Sequence, residues 1–274
     1  MKFGLDVPTT GEYGDARVLA QLAREAEESG WDGFFVWDVL PKGQPVIDPW
    51  IALTAIALQT SRIKIGLLVA PLARHRPYLV AQRLANLDQL SGGRVICTVG
   101  LGDGNEVFAA FGEEGDMAVR ARQLDEGLAI LQGLWTEDRF SYSGEHYHLC
   151  EVSLRPRPVQ VPRIPLWVAG GWPYRAPFRR AARWDGVSFK SINAREQRWL
   201  SLDEFRSGVA YVRSRCTQAG PFEIVMSGET PRDRQQGSDI VTPFREAGAT
   251  WWIEEGLGWS LKEYRERIQY GPPL

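Results

Sequence analysis

Several features that would place a protein in a specialised class are missing from this chain. Its three cysteines, Cys97, Cys150 and Cys216, are odd in number, widely spaced and without a CxxC pair. Neither a disulfide framework nor a structural zinc site is expected from such a set. The formal net charge is only −2, which favours neither nucleic acid nor a membrane surface as a partner. We therefore expect reduced thiols and a small-molecule substrate.

Long hydrophobic runs, targeting segments and histidines are scarce as well. No uninterrupted apolar stretch is long enough to cross a bilayer, and the first residues lack the order of a secretory signal. We expect a cytoplasmic protein. His146 and His148 have the spacing of one strand face, but no third ligand is evident nearby, so we expect no metal site.

What the chain does have is a repeated pattern of short apolar runs. Eight runs rich in Val, Ile, Phe or Trp, most of them followed by a helical stretch, start at 2, 33, 63, 94, 165, 186, 222 and 249. Few alternate cleanly, which suits strands covered on both faces. The pattern predicts an α/β fold, a single (β/α)8 TIM barrel that occupies residues 1–274. The polar segment RFSYSGEHYHL predicts a short hairpin insertion before the fifth strand.

Active sites of such barrels lie at the C-terminal ends of the strands. A carboxylate there can act as a base or hydrogen-bond a ligand. The ends of the runs collect one set of candidates: Asp6, Asp38, Gly102, Asp103, Gly104, Gly170, Gly171, Trp172, Lys190, Glu229 and Glu254.

Two of the predicted loops are rich in glycine. GLGDG, residues 100–104, lets backbone approach a ligand but lacks the GxGxxG spacing, and a tight turn that requires glycine explains it equally well. After the fifth run, Gly170 and Gly171 precede a helix that carries Arg175. Free amides at a helix N-terminus and a nearby guanidinium can bind phosphate. We expect the later arginines, Arg179, Arg180 and Arg183, to lie on a solvated face.

Aromatic residues also cluster near the predicted strand ends. Trp37, Trp172, Trp251 and Trp252 are four of eleven tryptophans, and an aromatic rim suits a flat heterocycle. Packing must nevertheless explain most of the eleven. We favour packing for Trp251 or Trp252, because adjacent strand residues face opposite ways.

The order of several segments resembles the luciferase-like monooxygenase family, whose members are flavin- or deazaflavin-dependent oxidoreductases on a (β/α)8 barrel. The segments are AREAEESGWDGFFVWD, TSRIKIGLLVAPLARHRP, ANLDQLSGGRVICTVGLGDG, RQLDEGLAILQGLW with SGEHYHL, and RPVQVPRIPLWVAGG with ARWDG. The resemblance covers most of the chain to about Gly186. It implies a homodimer and, for some members, a separate flavin reductase.

The resemblance also implies where a cofactor would lie. The ring would contact Asp38, Val69, Gly102 and Asp103, and the phosphate would contact the loop after the fifth strand. Gly170, Gly171, Trp172 and Arg175 are the candidates there. The family often has a non-prolyl cis peptide in the third strand, which matches Leu68–Val69.

The chain departs from the family at one catalytic position. A histidine commonly follows the strand-two aspartate, but Val39 follows Asp38 here. Asp38 remains a catalytic candidate that could orient a flavin or a substrate, and proton transfer would then fall to Glu229, Glu254 or a bound water.

Our first functional hypothesis is an oxidoreductase or monooxygenase that uses reduced FMN on a small organic substrate, with F420-dependent hydride transfer as the alternative. A second hypothesis is a non-catalytic flavin-binding protein. A third is a barrel enzyme that acts on a phosphorylated metabolite without flavin.

Overall fold

The computed structural model of the chain describes residues 1–41, 43–102, 105–217, 220–256 and 258–273. Its strands and helices alternate as the sequence predicts. The strands are β1 (Lys2–Val7), β2 (Gly33–Val36), β3 (Lys64–Pro71), β4 (Val95–Gly100), β5 (Phe140–Ser143), β6 (His148–Val152), β7 (Leu166–Gly170), β8 (Gly186–Phe189), β9 (Glu223–Gly228) and β10 (Trp251–Glu255). The helices are α1 (Ala16–Glu28), α2 (Pro49–Gln59), α3 (Pro77–Ser91), α4 (Asn105–Ala110), α5 (Met117–Thr136), α6 (Arg175–Ala181), α7 (Leu202–Arg213), α8 (Arg234–Glu246) and α9 (Leu261–Tyr270).

Eight parallel strands close into a barrel in the order β1-β10-β9-β8-β7-β4-β3-β2. This confirms the predicted (β/α)8 fold, and every one of the eight apolar runs is a barrel strand. The insertion before the fifth barrel strand is also confirmed, because β5 and β6 pair as an antiparallel hairpin. The carboxylate of Glu126 accepts hydrogen bonds from backbone amides of this hairpin, those of Glu145, His146 and Tyr147.

Several helices begin at a residue whose side chain caps them. Asp15 accepts from the Arg17 amide and thereby satisfies one of the amides that lack a partner within the helix. Ser201 and Ser260 begin α7 and α9 with capping boxes, in which the serine and a glutamate three residues later bond reciprocally. These caps fix where each helix leaves its loop.

Three aromatic rings fill the inside of the barrel. Phe35, Trp167 and Trp251 contact one another with ring centroids between 5.4 and 5.9 Å apart. Trp252 faces the opposite way and packs on Phe244 of α8, so packing accounts for both neighbouring tryptophans. Because side chains alternate along a strand, residues two and four positions after Trp251 also face inward. The rings therefore close the barrel beneath a further inward layer at the C-terminal mouth.

None of the helices within the described ranges is long and apolar enough to cross a membrane.

Candidate active site at the C-terminal mouth

Two inward-facing carboxyl groups form the floor of the mouth. Asp6 of β1 and Glu255 of β10 are direct partners in the parallel register of the two strands. Glu255 lies four residues after Trp251, so it shares the inward face of β10. On β1, Gly4 faces the same interior, since a Cβ there would meet Ile253 and Phe35, and Asp6 follows two residues later. The two carboxyl groups therefore lie side by side above the aromatic rings.

Neutral donors surround this pair. The Trp37 indole donates to Asp6 Oδ1 at 2.9 Å, and the Ser191 hydroxyl donates to Glu255 Oε2 at 2.7 Å. Burial raises the pKa of Asp6 well above its usual range, and the charge of Glu255 raises it further. Burial likewise raises the pKa of Glu255, although hydrogen bonds from Ser191 and Ser227 oppose the shift. Both groups are easier to protonate than an ordinary carboxyl.

Glu229 lies at the same mouth. It follows β9 directly and is exposed, and it acts electrostatically on Glu255. Partial burial raises the pKa of its carboxyl. The structure thus brings this predicted residue together with the Asp6–Glu255 pair.

Glu254 points away from the mouth. It is completely buried between β10 and the outer helices, where its carboxylate accepts from the Thr230 amide at 2.6 Å and from the Thr230 hydroxyl at 2.8 Å. Arg267 of α9 lies 3.4 Å from the same carboxylate. We therefore assign the mouth position to its neighbour Glu255 instead of Glu254. The alternation of β10 sends the two adjacent glutamates to opposite faces.

Asp38 follows β2 and is tied to two cationic or titratable side chains from the turn after β3. It forms a salt bridge with Arg74, which also donates to the Asp38 carbonyl at 3.3 Å. Its other carboxylate oxygen lies 2.7 Å from His75 Nε2. Asp38 is buried, so its carboxylate interacts with Arg74 and His75 rather than with solvent. It thereby orients the His75 imidazole.

The loop after β4 begins with a glycine that the geometry requires. Gly102 has φ +76°, and a Cβ there would come within 2.9 Å of both Phe108 and Pro71. The tight-turn interpretation of GLGDG therefore applies at this position. Arg120 of α5 secures the loop by donating to the Leu101 carbonyl at 3.0 Å. The predicted residues Asp103 and Gly104 lie outside the described residues.

The loop after β7 holds the predicted phosphate residues. Gly170 and Gly171 are closely covered, since a Cβ would lie 2.5 Å from Pro177 at the first and 2.7 Å from Ala194 at the second. The Trp172 ring packs on Phe178 at 5.3 Å and on Tyr211 at 5.9 Å, which accounts for it by packing. Arg175 is exposed at the start of α6.

The later arginines of α6 differ from the expected solvated face. Arg180 is buried and forms a two-pronged salt bridge with Asp125 of α5, at 2.8 and 2.9 Å. Arg183 binds the same aspartate at 2.6 Å. These two arginines therefore join α6 to α5, and the prediction of a solvated face was wrong for Arg180. The chain spacing of 55 residues between Arg180 and Asp125 hides this contact from the sequence.

The third barrel strand has the backbone feature that the resemblance implies. The Leu68–Val69 peptide is cis, which confirms that expectation. Val69 lies beside β4, where a Cβ on Gly100 would be 3.4 Å from its side chain.

The described part of the chain contains no group of three or more His, Cys, Asp or Glu side chains placed to hold a metal ion.

Comparison with known proteins identifies the family. The model of the luciferase-like monooxygenase family matches residues 1–215. The chain belongs to the luciferase-like monooxygenase family. Its fold agrees, because an F420-dependent secondary alcohol dehydrogenase superposes with a TM-score of 0.82 over 99% of this chain and 98% of that one, at 16% identity.

Two curated relatives in the luciferase-like family differ in cofactor. An F420-dependent glucose-6-phosphate dehydrogenase of Amycolatopsis mediterranei is 34% identical over 168 residues, which are 59% of this chain and 50% of that protein. An FMNH(2)-dependent dimethylsulfone monooxygenase of Pseudomonas putida is 27% identical over 267 residues, 91% of this chain and 72% of that protein. The chain thus spans about half the length of the first relative. The relatives support an oxidoreductase family and leave the cofactor open between F420 and FMN.

Residues that the sequence analysis did not single out complete this luciferase-like mouth. Glu255 follows a glutamate that was chosen in its place, and only the strand alternation could have separated the two. His75 lies near a strand end, but its contact with Asp38 spans 37 residues. Arg120 belongs to no sequence motif that would have identified it.

Proposed function

We propose that this chain is an oxidoreductase that binds a flavin-type cofactor across the C-terminal mouth and acts on a small organic substrate. The observation that carries the proposal is the layered mouth. Hydrogen bonds from neutral donors hold the carboxyl groups of Asp6 and Glu255 above the packed aromatic rings inside the barrel, and polar side chains of neighbouring strand ends surround them. A bound cofactor would supply hydride transfer or oxygen activation, and the protein would supply orientation and the proton.

FMN is the proposed cofactor, and F420 is the alternative. A relative matched over 91% of this chain is FMNH(2)-dependent, whereas an F420-dependent relative reaches higher identity over a shorter stretch. If reduced FMN is used, a separate flavin reductase would supply it. Both cofactors carry a tricyclic ring and a phosphate, so the same mouth residues suit either.

The phosphate would lie beside the loop after β7. Arg175 is exposed there, with its guanidinium 5.3 Å from the Tyr211 ring. A second exposed arginine, Arg195, lies 5.4 Å from the ring of Tyr174. Two cations at one edge of the mouth fit a dianionic group. The ring would lie toward β2–β4, near Val69 and Gly102, with Asp38 acting through Arg74 and His75.

Titration of the purified protein tests this proposal. FMN, F420 and riboflavin, each oxidised and reduced, would be followed by fluorescence or anisotropy. We expect Arg175→Ala to weaken FMN binding at least tenfold, because a charged hydrogen bond contributes about 1.5–3 kcal/mol. Binding of riboflavin, which lacks the phosphate, should hardly change.

Arg179→Ala is the matched control, because Arg179 is an exposed arginine of the same helix. It should leave FMN binding nearly unchanged. Equal losses for FMN and riboflavin would contradict a phosphate contact. A folded protein that binds no flavin but binds sugar phosphates would favour the phosphorylated-metabolite enzyme.

A non-catalytic flavin-binding protein is the second candidate function. It is favoured by Val39, which occupies the position where the family commonly has histidine. Steady-state oxidation or reduction of the bound cofactor separates the two. Tight binding without turnover of any tested substrate would favour the binding protein.

We also propose a homodimer. Ile51 and Leu58 of α2 are 57% and 66% exposed, and Leu79 and Leu90 of the adjacent α3 are 37% and 46% exposed. A second copy would cover this apolar face. Ile51→Glu with Leu58→Glu should give a monomer in sedimentation equilibrium, and an unchanged mass would exclude this face.

Two further proposals concern organisation and location. We propose that residues 1–274 act as one domain, because β1 pairs with β10 and joins both ends of the chain in one barrel. A cytoplasmic location remains a proposal that cell fractionation would test.

A further inference from the structure

We propose that Asp6 and Glu255 share one proton and form the acid–base pair of the mouth, in direct contact with the bound cofactor or substrate. This assignment rests on the proposed oxidoreductase function. It moves the proton chemistry from Glu229 and Glu254, which the sequence suggested, to Asp6 of β1 and Glu255 of β10.

The first argument is the spacing of the two groups. Asp6 and Glu255 are register partners on adjacent strands and both face the barrel interior. Side chains so placed start about 4.8 Å apart, the distance between neighbouring strands. Two carboxylates at such a distance cannot both ionise without a large electrostatic cost, so one of them keeps a proton.

The second argument is the lack of a compensating cation. Within the described ranges, no ion pair involves either carboxyl group. The side-chain donors that contact them in the described part of the chain are the Trp37 indole and the Ser191 and Ser227 hydroxyls, all neutral.

The surrounding charges also disfavour a second ionisation. From α9, the Tyr264 hydroxyl donates to the backbone carbonyl of Asp6 at 2.9 Å, a contact that brings no positive charge to the pair. The charges of Glu229 and Glu254 also act on Glu255, and both raise its pKa. The protonation of the pair is therefore set by burial and by like charge.

The third argument contrasts this pair with the other carboxyl groups. The Asp38 carboxylate is engaged by Arg74 and His75, and Glu254 is engaged by Thr230 and Arg267. Glu229 is exposed. Asp6 and Glu255 alone among these five combine an inward position, partial burial and neutral partners, which are conditions that favour exchange of a proton.

The pair can complete a hydride transfer. When a substrate carbon that bears a hydroxyl group gives up a hydride, its C–H and O–H bonds break and a C=O bond forms. A bound cofactor would accept the hydride with its two electrons, and the hydroxyl proton would pass to the ionised member of the pair. In the reverse direction the protonated member returns that proton to the carbonyl oxygen.

The first test uses the protein without cofactor. Infrared spectroscopy follows the C=O stretch of protonated carboxyl groups as the pH is raised, in the wild type and in the isosteric variants Asp6→Asn and Glu255→Gln. We expect a carboxylic acid band that persists at neutral pH. Each substitution should lower the pH at which the band disappears by about one unit or more, because the like charge is removed.

Asp32→Asn is the matched control for this titration. Asp32 accepts from the Phe3 amide at 2.8 Å, at the opposite end of β1. It should leave the band unchanged, and circular dichroism would verify that each variant is folded. A wild type without the band at neutral pH, or variants that leave it unshifted, would overturn the shared proton.

The second test is calorimetric titration with FMN, and in parallel with F420, in two buffers of different ionisation heat. A ring that covers the floor of the mouth removes water from the pair and favours its protonated form, so the wild type should take up protons on binding. Asp6→Asn and Glu255→Gln should lose that uptake, whereas Asp32→Asn should keep it. Binding without proton uptake by the wild type would overturn the contact. If neither cofactor binds while the infrared band is present, the proposed function fails and the shared proton stands.

Discussion

Removal of the Glu254 carboxylate should destabilise the fold and leave the mouth intact. Glu254→Ala removes a group that is completely buried and that accepts from Thr230 twice, at 2.6 and 2.8 Å, and from the Trp252 indole at 3.3 Å. It also removes the carboxylate beside Arg267, which is 3% exposed. The substitution therefore leaves a buried guanidinium without its anion.

The magnitude follows from these contacts. Loss of one partner of a buried ion pair costs about 3–5 kcal/mol, chiefly because the remaining charge is uncompensated. The Arg267 guanidinium keeps its bonds to the Gly271 carbonyl and the Thr230 hydroxyl, both at 2.7 Å, which limits the loss to the lower end of that range. We expect about 3 kcal/mol, a large share of the 5–15 kcal/mol that is typical of folded proteins.

Denaturant unfolding measures the change, with the midpoint compared at a constant slope so that a shift reports stability alone. The double variant Glu254→Leu with Arg267→Met should cost less than the sum of the two single changes, because it removes both charges together. Glu255→Gln is the neighbouring control and should not lower the unfolding midpoint near neutral pH. Glu254→Ala with wild-type stability and lost cofactor binding would refute this reasoning and return Glu254 to the site.

Three other changes test the geometry of the mouth. In Glu255→Gln the stability difference from wild type should move in favour of the variant as pH rises. A carboxyl group whose folded pKa is raised contributes stability below its unfolded pKa, about 4.3, and loses that stability as pH passes the folded pKa. Parallel curves of unfolding free energy against pH from pH 5 to 9 would contradict burial as the cause. Gly102→Ala should cost about 1–3 kcal/mol in thermal or denaturant unfolding, because φ is positive and Phe108 lies against the new Cβ. Asp38→Asn should cost about 1.5–3 kcal/mol by removing the anion beside Arg74, and a neutral result would mean that this arginine finds another partner.

The fold could be predicted from the sequence because its determinants are local and repeated. Each apolar run is long enough for a strand, and several helices carry their own cap, such as Asp15. A barrel strand covered on both faces needs no polar–apolar alternation. The continuous apolar character allowed the strands to be predicted. It gave no indication of which face of each strand points into the barrel.

The missing alternation explains why the sequence analysis selected Glu254 and not Glu255 on β10. In WWIEE both tryptophans are buried, one against the rings inside the barrel and one against α8. Nothing in the run distinguishes the residues that face the barrel interior from those that face the helices. The choice between Glu254 and Glu255 therefore depended on which alternate residues of β10 face inward, and only tertiary packing sets this. A shift of one residue exchanges the two faces of a strand.

Contacts between distant loops were inaccessible for a different reason. The Arg180–Asp125 pair and the Asp38–His75 pair join segments 55 and 37 residues apart. Their residue types are common, and no spacing rule connects them. The glycines at 102, 170 and 171 were identified, but the sequence could not separate a turn requirement from close packing by a neighbouring loop.

The position of Val39 and the use of Asp38 together favour a different origin for the reaction's proton. Where a histidine would follow the aspartate, this chain has an aliphatic residue, and the aspartate is occupied by Arg74 and His75. Both carboxylate oxygens of Asp38 are thus engaged by neighbouring side chains. Across the mouth, Asp6 and Glu255 have the opposite surroundings, with neutral donors and each other's charge. If this luciferase-like barrel transfers protons, the physical conditions for doing so are met at β1 and β10, which makes the pH dependence of those two residues more decisive than the absent histidine.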